Sequence, residues 1–409
     1  MIRSTTVSLK FCNTGKARQI KQLIDEYQRV VGIFVDILWE EELVPGFLPK
    51  ELTNAVETWL SARVKQCAGK QASGIVRGTR SKQEKRHYVV KKLEEQGEFK
   101  KARRLQAVID KTKMAKPKIQ AICPELDSRF VSFDLENNTT FDGWICLSSI
   151  GNKTKINIPF KRTKHFNKLF NKGVLKPGVR LGKKEIALMF DIPDVEKKTS
   201  GAVLGVDIGQ TTVVACSNGV VSTKDKHGHD LSSITTKLCR CKKGSRGFQR
   251  AVAHRKNHIN WAINQLNLTE VKEVRLENIK NMRRGKRANR RLSHWVYADI
   301  FSKLDRKCLE QGVLVTRISP TYTSKRCSSC GWTRHNNRKG RLFKCGECGF
   351  VADSDLNAAK NIAASLEPIG YKERQSHDIK TGFYWHERGD ELVVHLVQRP
   401  IELRKDIFQ

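Results

Sequence analysis

Apolar positions along the chain change their spacing several times, and each change marks a boundary. Thr5-Thr6-Val7-Ser8-Leu9-Lys10-Phe11-Cys12 alternates apolar and polar with β-branched residues, the period of a strand. From Lys16 the step lengthens. Ile20, Leu23, Ile24, Tyr27, Val30, Val31, Phe34 and Leu38 recur every three or four residues, which predicts one buried helix face running to about Trp39. Residues 52–68 repeat the pattern weakly. Residues 82–116 form a charged helical stretch with apolar points at Val89, Val90, Leu93, Leu105, Val108 and Ile109.

Strand-like runs return at Phe130–Phe133, Trp144–Leu147, Lys155–Ile158 and Glu185–Phe190, separated by Asn, Asp and Gly turns. Residues 195–201 read as a linker. After them the pattern becomes strand, hairpin, strand and helix. The organisation expected is a first strand (1–15), a helical domain (16–118), a small β-domain completed by that first strand (119–194), the linker, and a mixed α/β domain from 202. No internal repeat of solenoid length is apparent.

Composition narrows the class. The chain has 409 residues, 39% hydrophobic, and 77 Lys and Arg against 42 Asp and Glu, a formal net charge of +35. Length and apolar content suit two or three globular domains. Such a charge excess calls for a polyanionic partner, and nucleic acid is the usual one. The N-terminus lacks the apolar core of a secretory signal, so an intracellular protein is expected. The longest apolar run, Val30 to Trp39, is too short for a membrane span and contains Asp36. No membrane partner is expected.

Candidate chemistry sits in the last two hundred residues. Ala202-Val203-Leu204-Gly205-Val206-Asp207 is an apolar strand carrying one carboxylate, which is costly to bury without a metal or a partner. Val271 to Glu277 repeats the signature. Asp353-Ser354-Asp355 opens a third element, a helix; taken singly, Asp353 and Asp355 each suit a helix N-cap. If a sheet brings Asp207, Glu277 and Asp355 together, they form an oxygen-ligand set for hard cations such as magnesium, as in two-metal phosphodiester hydrolysis.

Cys327, Cys330, Cys345 and Cys348 form two Cys-x-x-Cys knuckles fourteen residues apart, each followed by glycine. That spacing predicts one tetrahedral structural zinc, with iron the lesser alternative. Residues 240–291 hold sixteen Lys or Arg and three acidic residues. The densest part is Arg283, Arg284, Lys286, Arg287, Arg290 and Arg291, shortly after Glu277, where a basic segment would attract a phosphate backbone. Trp261, Trp295 and Tyr297 lie in helical stretches and read as core.

The motifs Gly205-Val206-Asp207-Ile208-Gly209, Leu276-Glu277-Asn278-Ile279, Thr323 to Gly331, Cys345 to Gly349 and Asp355 to Ile362 resemble, in order and spacing, the TnpB family of transposon-encoded RNA-guided nucleases and the compact type V CRISPR effectors. The resemblance covers about 202–366. It implies a multidomain α+β protein: a helical recognition domain inserted in a β-barrel-like wedge domain, then an RNase H-like (RuvC) α/β nuclease domain with an inserted zinc ribbon. Within the nuclease the expected parts are 202–320, with a helical insertion at 237–266, the ribbon at 321–350 and a last motif at 351–366. The tail 367–409 is unassigned, apart from a strand-like run at 391–397.

The resemblance further implies that Asp207, Glu277 and Asp355 hold two catalytic magnesium ions, that guide RNA and target double-stranded DNA are the partners, and that DNA is recognised beside a short flanking motif. A cytoplasmic, prokaryotic, nucleoid-associated protein is expected, as monomer or dimer. Ser354 departs from the family's Asp-Arg-Asp and removes a cation near the acids, for which tuned activity is expected. An RNA-guided DNA-binding repressor and a guide-free RuvC-like nuclease remain alternatives, although three intact acids weigh against the repressor.

Overall fold

The computed structural model describes residues 1–111, 115–136, 139–222, 224–279, 290–366, 369 and 378–385. Arg283, Arg284, Lys286, Arg287 and the strand read at 391–397 lie outside the described residues. The chain divides into two compact units, Met1–Pro193 and Asp194–Gln409. No helix among the described residues is long and apolar enough to cross a membrane.

The first unit opens with strand β1 (Ile2–Ser8), followed by helix α1 (Thr14–Glu40), the short α2 (Lys50–Asn54), α3 (Ala62–Glu95) and α4 (Phe99–Lys111). Asn13 caps α1 by accepting from the Lys16 amide at 2.9 Å. The stripe from Ile20 to Leu38 is buried along its whole length, with Val35 added to the residues that the period picks out. It packs against α3, whose facing positions Val64, Ala68, Ala72 and Val76 are small and fully buried, so the two helices approach closely. Each large side chain buried in this seam contributes roughly 1.5–3 kcal/mol. The helix read at 82–116 is broken at Gly97, where φ is +70°. Glu98 N–H donates to Leu93 and Gly97 N–H to Glu94, a Schellman ending that turns the chain into α4.

Strands β2 (Glu125–Leu126), β3 (Val131–Asp134), β4 (Gly143–Leu147) and β5 (Ile156–Phe160), helix α5 (Lys164–Phe170), and strands β6 (Val174–Leu181) and β7 (Glu185–Asp191) complete the unit. They form two antiparallel sheets, ordered β1-β7-β6-β2 and β3-β4-β5. The N-terminal strand pairs with β7 over its full length, Ile2 opposite Asp191 and Ser8 opposite Glu185. The barrel-like wedge expected from the resemblance is corrected here: the described strands do not close into a barrel. Edge strand β2 is only two residues long, and the β6 register shifts between Leu175 and Val179, where Pro177 has no N–H to donate. Both sheets nonetheless contribute to a single core with α1 and α3.

The second unit is built on strands β8 (Ala202–Asp207), β9 (Ala215–Cys216), β10 (Val271–Glu277) and β11 (Leu314–Ile318). Their order is β11-β10-β8-β9, with β8, β10 and β11 parallel and β9 antiparallel to β8. The hairpin after β8 turns at Asn218-Gly219, with Gly219 at φ +91°, and its regular first strand is only Ala215–Cys216. Helices α6 (Leu231–Arg240) and α7 (Arg246–Asn264) connect β9 to β10; α8 (Arg290–Ser293) and α9 (Tyr297–Leu309) lie between β10 and β11. The helical stretch expected over 237–266 is thus two helices, of which the first starts earlier, at Leu231, and ends at Arg240. Trp295 is buried in this unit's core, with Trp261 and Tyr297 packed on it.

After β11 come β12 (Trp332–Thr333), β13 (Arg338–Lys339), β14 (Leu342–Lys344), β15 (Val351–Asp353), α10 (Ser354–Ala363) and β16 (Phe383–Tyr384). Strands β13, β14 and β15 make a small antiparallel sheet, and β16 returns to pair with β12. The segment read as a linker is fastened to this unit: Lys198 N–H donates to Gly312 O at 2.8 Å, and its ammonium donates to the carbonyls of Leu268 and Thr269.

Candidate functional site

Register explains how the acids meet. Val206 lies opposite Leu276 in the parallel pair, so β8 and β10 end side by side on Asp207 and Glu277, at the carboxyl edge of the sheet. Helix α10 brings Asp355 to the same edge because it crosses β8 at Gly205. A Cβ on Gly205 would stand 2.1 Å from the carbonyl oxygen of Ala359 and 2.4 Å from the amide of Ala363. Glycine is therefore required for the helix to sit where it does.

Asp353 and Asp355 separate cleanly in role. Asp353 is the N-cap of α10, accepting from the amides of Asp355 at 2.9 Å and Leu356 at 3.3 Å. Asp355, in the first turn, lies close enough to Asp207 for its charge to act there. Burial pushes the Asp207 carboxyl up to about 8, and the charges of Glu277 and Asp355 push it the same way, against Arg338 and the Ile208 amide. Burial also raises Glu277, opposed by a hydrogen bond from Thr323 and by Arg338. Asp207 is thus a buried carboxyl whose ionisation two further carboxylates oppose.

The residue that sequence reasoning missed is Arg338. Its Nη2 lies 3.1 Å from Asp355 Oδ1, and its charge reaches Asp207 and Glu277. In the sequence it is one of four cations in Arg334-His335-Asn336-Asn337-Arg338-Lys339-Gly340-Arg341, and only the β13–β14 turn selects it. Ser354 is fully buried and donates to the Gly340 carbonyl at 3.1 Å, tying that turn to α10. The cation missing from position 354 thus has counterparts on the turn: Arg338 beside Asp355 and Arg341 beside Asp353.

The cysteines converge as their spacing predicts. Gly331 and Gly349 take φ of +80° and +74°, conformations that let each knuckle turn back on itself. Cys327 N–H donates to Trp332 O and Cys345 N–H to Phe350 O. The Sγ atoms of Cys327 and Cys348 are 3.8 Å apart and those of Cys330 and Cys345 3.7 Å. Those separations are far too long for disulfides and match the edge of a tetrahedron with bonds of about 2.3 Å to a central zinc. All four sulfur atoms lie within 4.8 Å of one another, and no other described His, Cys, Asp or Glu group is that compact. The cluster can hold a zinc ion. Burial raises the Cys330 and Cys345 thiols, so a cation is needed to hold them as thiolates.

Of the six basic candidates, Arg290 and Arg291 are described, and both are engaged within the unit. Arg291 donates to Ser232 Oγ at 2.5 Å and to Thr236 Oγ1 at 3.3 Å on α6, while Arg290 donates to the Cys241 carbonyl at 2.7 Å. They anchor the chain after the basic stretch as well as adding to its charge.

Residues 297–362 match the family described as Cas12f1-like, TNB domain. The chain is 43% identical over 91 residues to the CRISPR-associated endodeoxyribonuclease Cas12f1 of Sulfoacidibacillus thermotolerans, covering 22% of this chain and 21% of that protein. It is 26% identical over 229 residues to the CRISPR-associated endodeoxyribonuclease Cas12f1 of an uncultured archaeon, covering 46% and 43%. It is 34% identical over 95 residues to the TnpB-like protein aq_aa05 of Aquifex aeolicus, covering 22% and 31%. The matches thus span less than half the length of these relatives. The cryo-EM structure of the Cas12f1-sgRNA-target DNA complex aligns with 89% of this chain and 98% of that chain at a TM-score of 0.42 and 15% identity. Residues 297–362 are thus similar to the Cas12f1-like TNB domain, and the chain resembles the TnpB-like proteins and compact type V effectors.

Proposed function

We propose that this protein is an RNA-guided DNA endonuclease whose second unit is a RuvC-like, RNase H-like nuclease domain with an inserted zinc ribbon at 321–350. The observation that carries the reading is that the Asp207 carboxyl, buried at the end of β8 beside the end of β10, is acted on by the charges of both Glu277 and Asp355. Relatives named endodeoxyribonucleases share sequence with this chain, which supports the same reading.

In this reading the three carboxylates hold two magnesium ions, which when bound supply an activated water and neutralise charge on the leaving oxygen. Asp207 and Glu277 fix two ligand groups on adjacent parallel strands, a rigid base. Asp355 closes the set from α10. Arg338 offers a guanidinium to an anionic phosphate entering beside Asp355, and the described contact between the two is the interaction that phosphate would replace. The four cysteines bind one zinc, which fixes the turn carrying Arg338 without taking part in chemistry.

Guide RNA and target DNA are the proposed partners. The net charge of +35 and the basic stretch from Arg240 to Arg291 support a polyanion held near the acids. The test is cleavage of a matched plasmid in magnesium by the protein purified with its RNA, beside Asp207→Ala. Cleavage lost in the variant is expected. Equal cleavage by both proteins would remove Asp207 from the mechanism; binding without cleavage by the wild type would identify a repressor; cleavage persisting after thorough RNA removal would identify a guide-free nuclease.

A further inference from the structure

The Glu277 carboxylate is buried and shares its site with the Asp207 carboxyl, where a side chain with three rotatable bonds turns away unless something holds it. Thr323 holds it: this residue is 1% exposed, and its hydroxyl donates to Glu277 Oε1. Thr323 is itself fastened. Asn361, fully buried on α10, donates through Nδ2 to the Thr323 carbonyl at 2.8 Å and to the Arg326 carbonyl at 2.7 Å. Its Oδ1 accepts from Arg326 Nη1 at 2.8 Å. Asn357, one turn earlier and also fully buried, donates to the same Arg326 carbonyl at 2.8 Å and accepts from the Ser328 amide at 3.0 Å.

The far end of this network is the chain's return. Arg326, only 5% exposed, donates from Nε to the Trp385 carbonyl at 2.6 Å. Strand β16 keeps that carbonyl in place by pairing Tyr384 with Trp332 and Phe383 with Thr333, and Trp385 N–H donates to Gly331 O at 3.0 Å. The turn being held is a demanding one: Tyr322 adopts φ +60°, which a non-glycine side chain takes only when its surroundings impose it.

We infer that Thr323 is a positioning residue for Glu277, and that Asn361, Arg326 and the returning segment Asp378–Trp385 form the hydrogen-bonded frame that keeps it aimed. The inference rests on the proposed nuclease reading, and it gives the otherwise unassigned segment at 378–385 a function. Partners that aim a metal-binding side chain characteristically change metal affinity by 10–100-fold when lost. Thr323→Val removes the hydroxyl at constant shape, whereas Thr323→Ser keeps it.

The test uses the full-length protein, with Mn2+ binding followed by loss of the free-ion EPR signal, and with the magnesium dependence of cleavage measured alongside. Thr323→Val is expected to weaken Mn2+ binding about 10-fold and to raise the magnesium needed for half-maximal cleavage by a similar factor. Thr323→Ser is expected within about twofold of wild type. Zinc content and the melting curve verify folding; if Thr323→Val does not fold, Arg326→Lys, which keeps the charge but loses the two-point contact, is expected to show a smaller shift in the same direction. Wild-type Mn2+ binding by a folded Thr323→Val or by Arg326→Lys, or a serine variant as weak as valine, overturns the inference. Asp207→Ala separates the two readings: if it abolishes Mn2+ binding while Thr323→Val changes nothing, only the positioning role fails, and if it binds as wild type the metal-site reading itself fails.

Discussion

Two clusters of ligand-type side chains in the second unit are assembled in opposite ways. The four cysteines come from two short knuckles, each closed by a backbone hydrogen bond of its own, and their sulfur pairs already stand 3.7 and 3.8 Å apart. The three acids come from two strands and a helix far apart in sequence, and sheet register together with the close passage of α10 over Gly205 sets where they lie. The cysteine cluster is specified by local geometry. The acid cluster is specified by topology, so it is exposed to changes in packing that never touch a carboxylate.

The most disruptive test of this contrast is on the local side. Cys345→Ser is expected to lose the zinc and unfold the ribbon, because structural zinc binding in small modules is worth about 10–16 kcal/mol and that energy is folding energy. Zinc analysis and calorimetry would show metal loss together with a melting temperature lower by more than roughly 10 °C. A variant that loses zinc and still melts like the wild type would make the cluster incidental to the fold.

Gly205→Ala probes the topological side. The added Cβ meets the backbone of α10 at 2.1 and 2.4 Å, so the helix must shift. Overpacking of this kind costs about 3 kcal/mol. Zinc content is expected to stay at wild type while magnesium-dependent cleavage falls at least about 10-fold, since an ångström of displacement at Asp355 is enough to spoil a reacting geometry. If zinc and cleavage fell together, the two clusters would be one cooperative structure rather than two.

Asp207→Asn is expected to act in the opposite direction, as stabilisation. The folded carboxyl is raised to about 8, above its unfolded value of about 4. Folding therefore takes up a proton between these values, and without added divalent ions stability is complete below pH ~4 and is lost as pH rises towards 8. The asparagine variant escapes that loss, so at pH 7 it is expected to melt roughly 5 °C higher, with no gain at pH 4. Equal melting of the two proteins at both pH values would mean that Asp207 is not strained by its neighbours.

What the sequence made legible follows the same division. The cysteine knuckles, the α1 stripe and the two acid-tipped strands were readable because each is a short pattern with a fixed period or spacing. The resemblance singled out Asp355 over Asp353, and the structure makes Asp353 the cap of α10. Arg338 was not readable, because a cation in a polar turn looks like any other until β13 and β14 aim it. The open sheets in place of a barrel depend on which strand edges meet, and no single strand records that. Nor did anything in Phe383-Tyr384-Trp385 announce that its backbone pairs with β12, since aromatic side chains alone do not name a partner strand.

The smallest expected effect concerns the joint between the clusters. Ser354 is fully buried at the start of α10, and its hydroxyl donates to the Gly340 carbonyl of the turn that carries Arg338, at 3.1 Å. Removing one such hydrogen bond costs about 1 kcal/mol. The Ser354 amide still donates to the Arg341 carbonyl at 2.8 Å, so Ser354→Ala is expected to loosen the turn rather than release it. The melting temperature would fall by about 2–4 °C, with zinc content unchanged. If Arg338 serves the acids, cleavage should fall two- to threefold more than an equally destabilising substitution elsewhere in the unit, such as Ile263→Val. A loss no greater than in that control would mean that the ribbon and the acid edge are neighbours without being coupled.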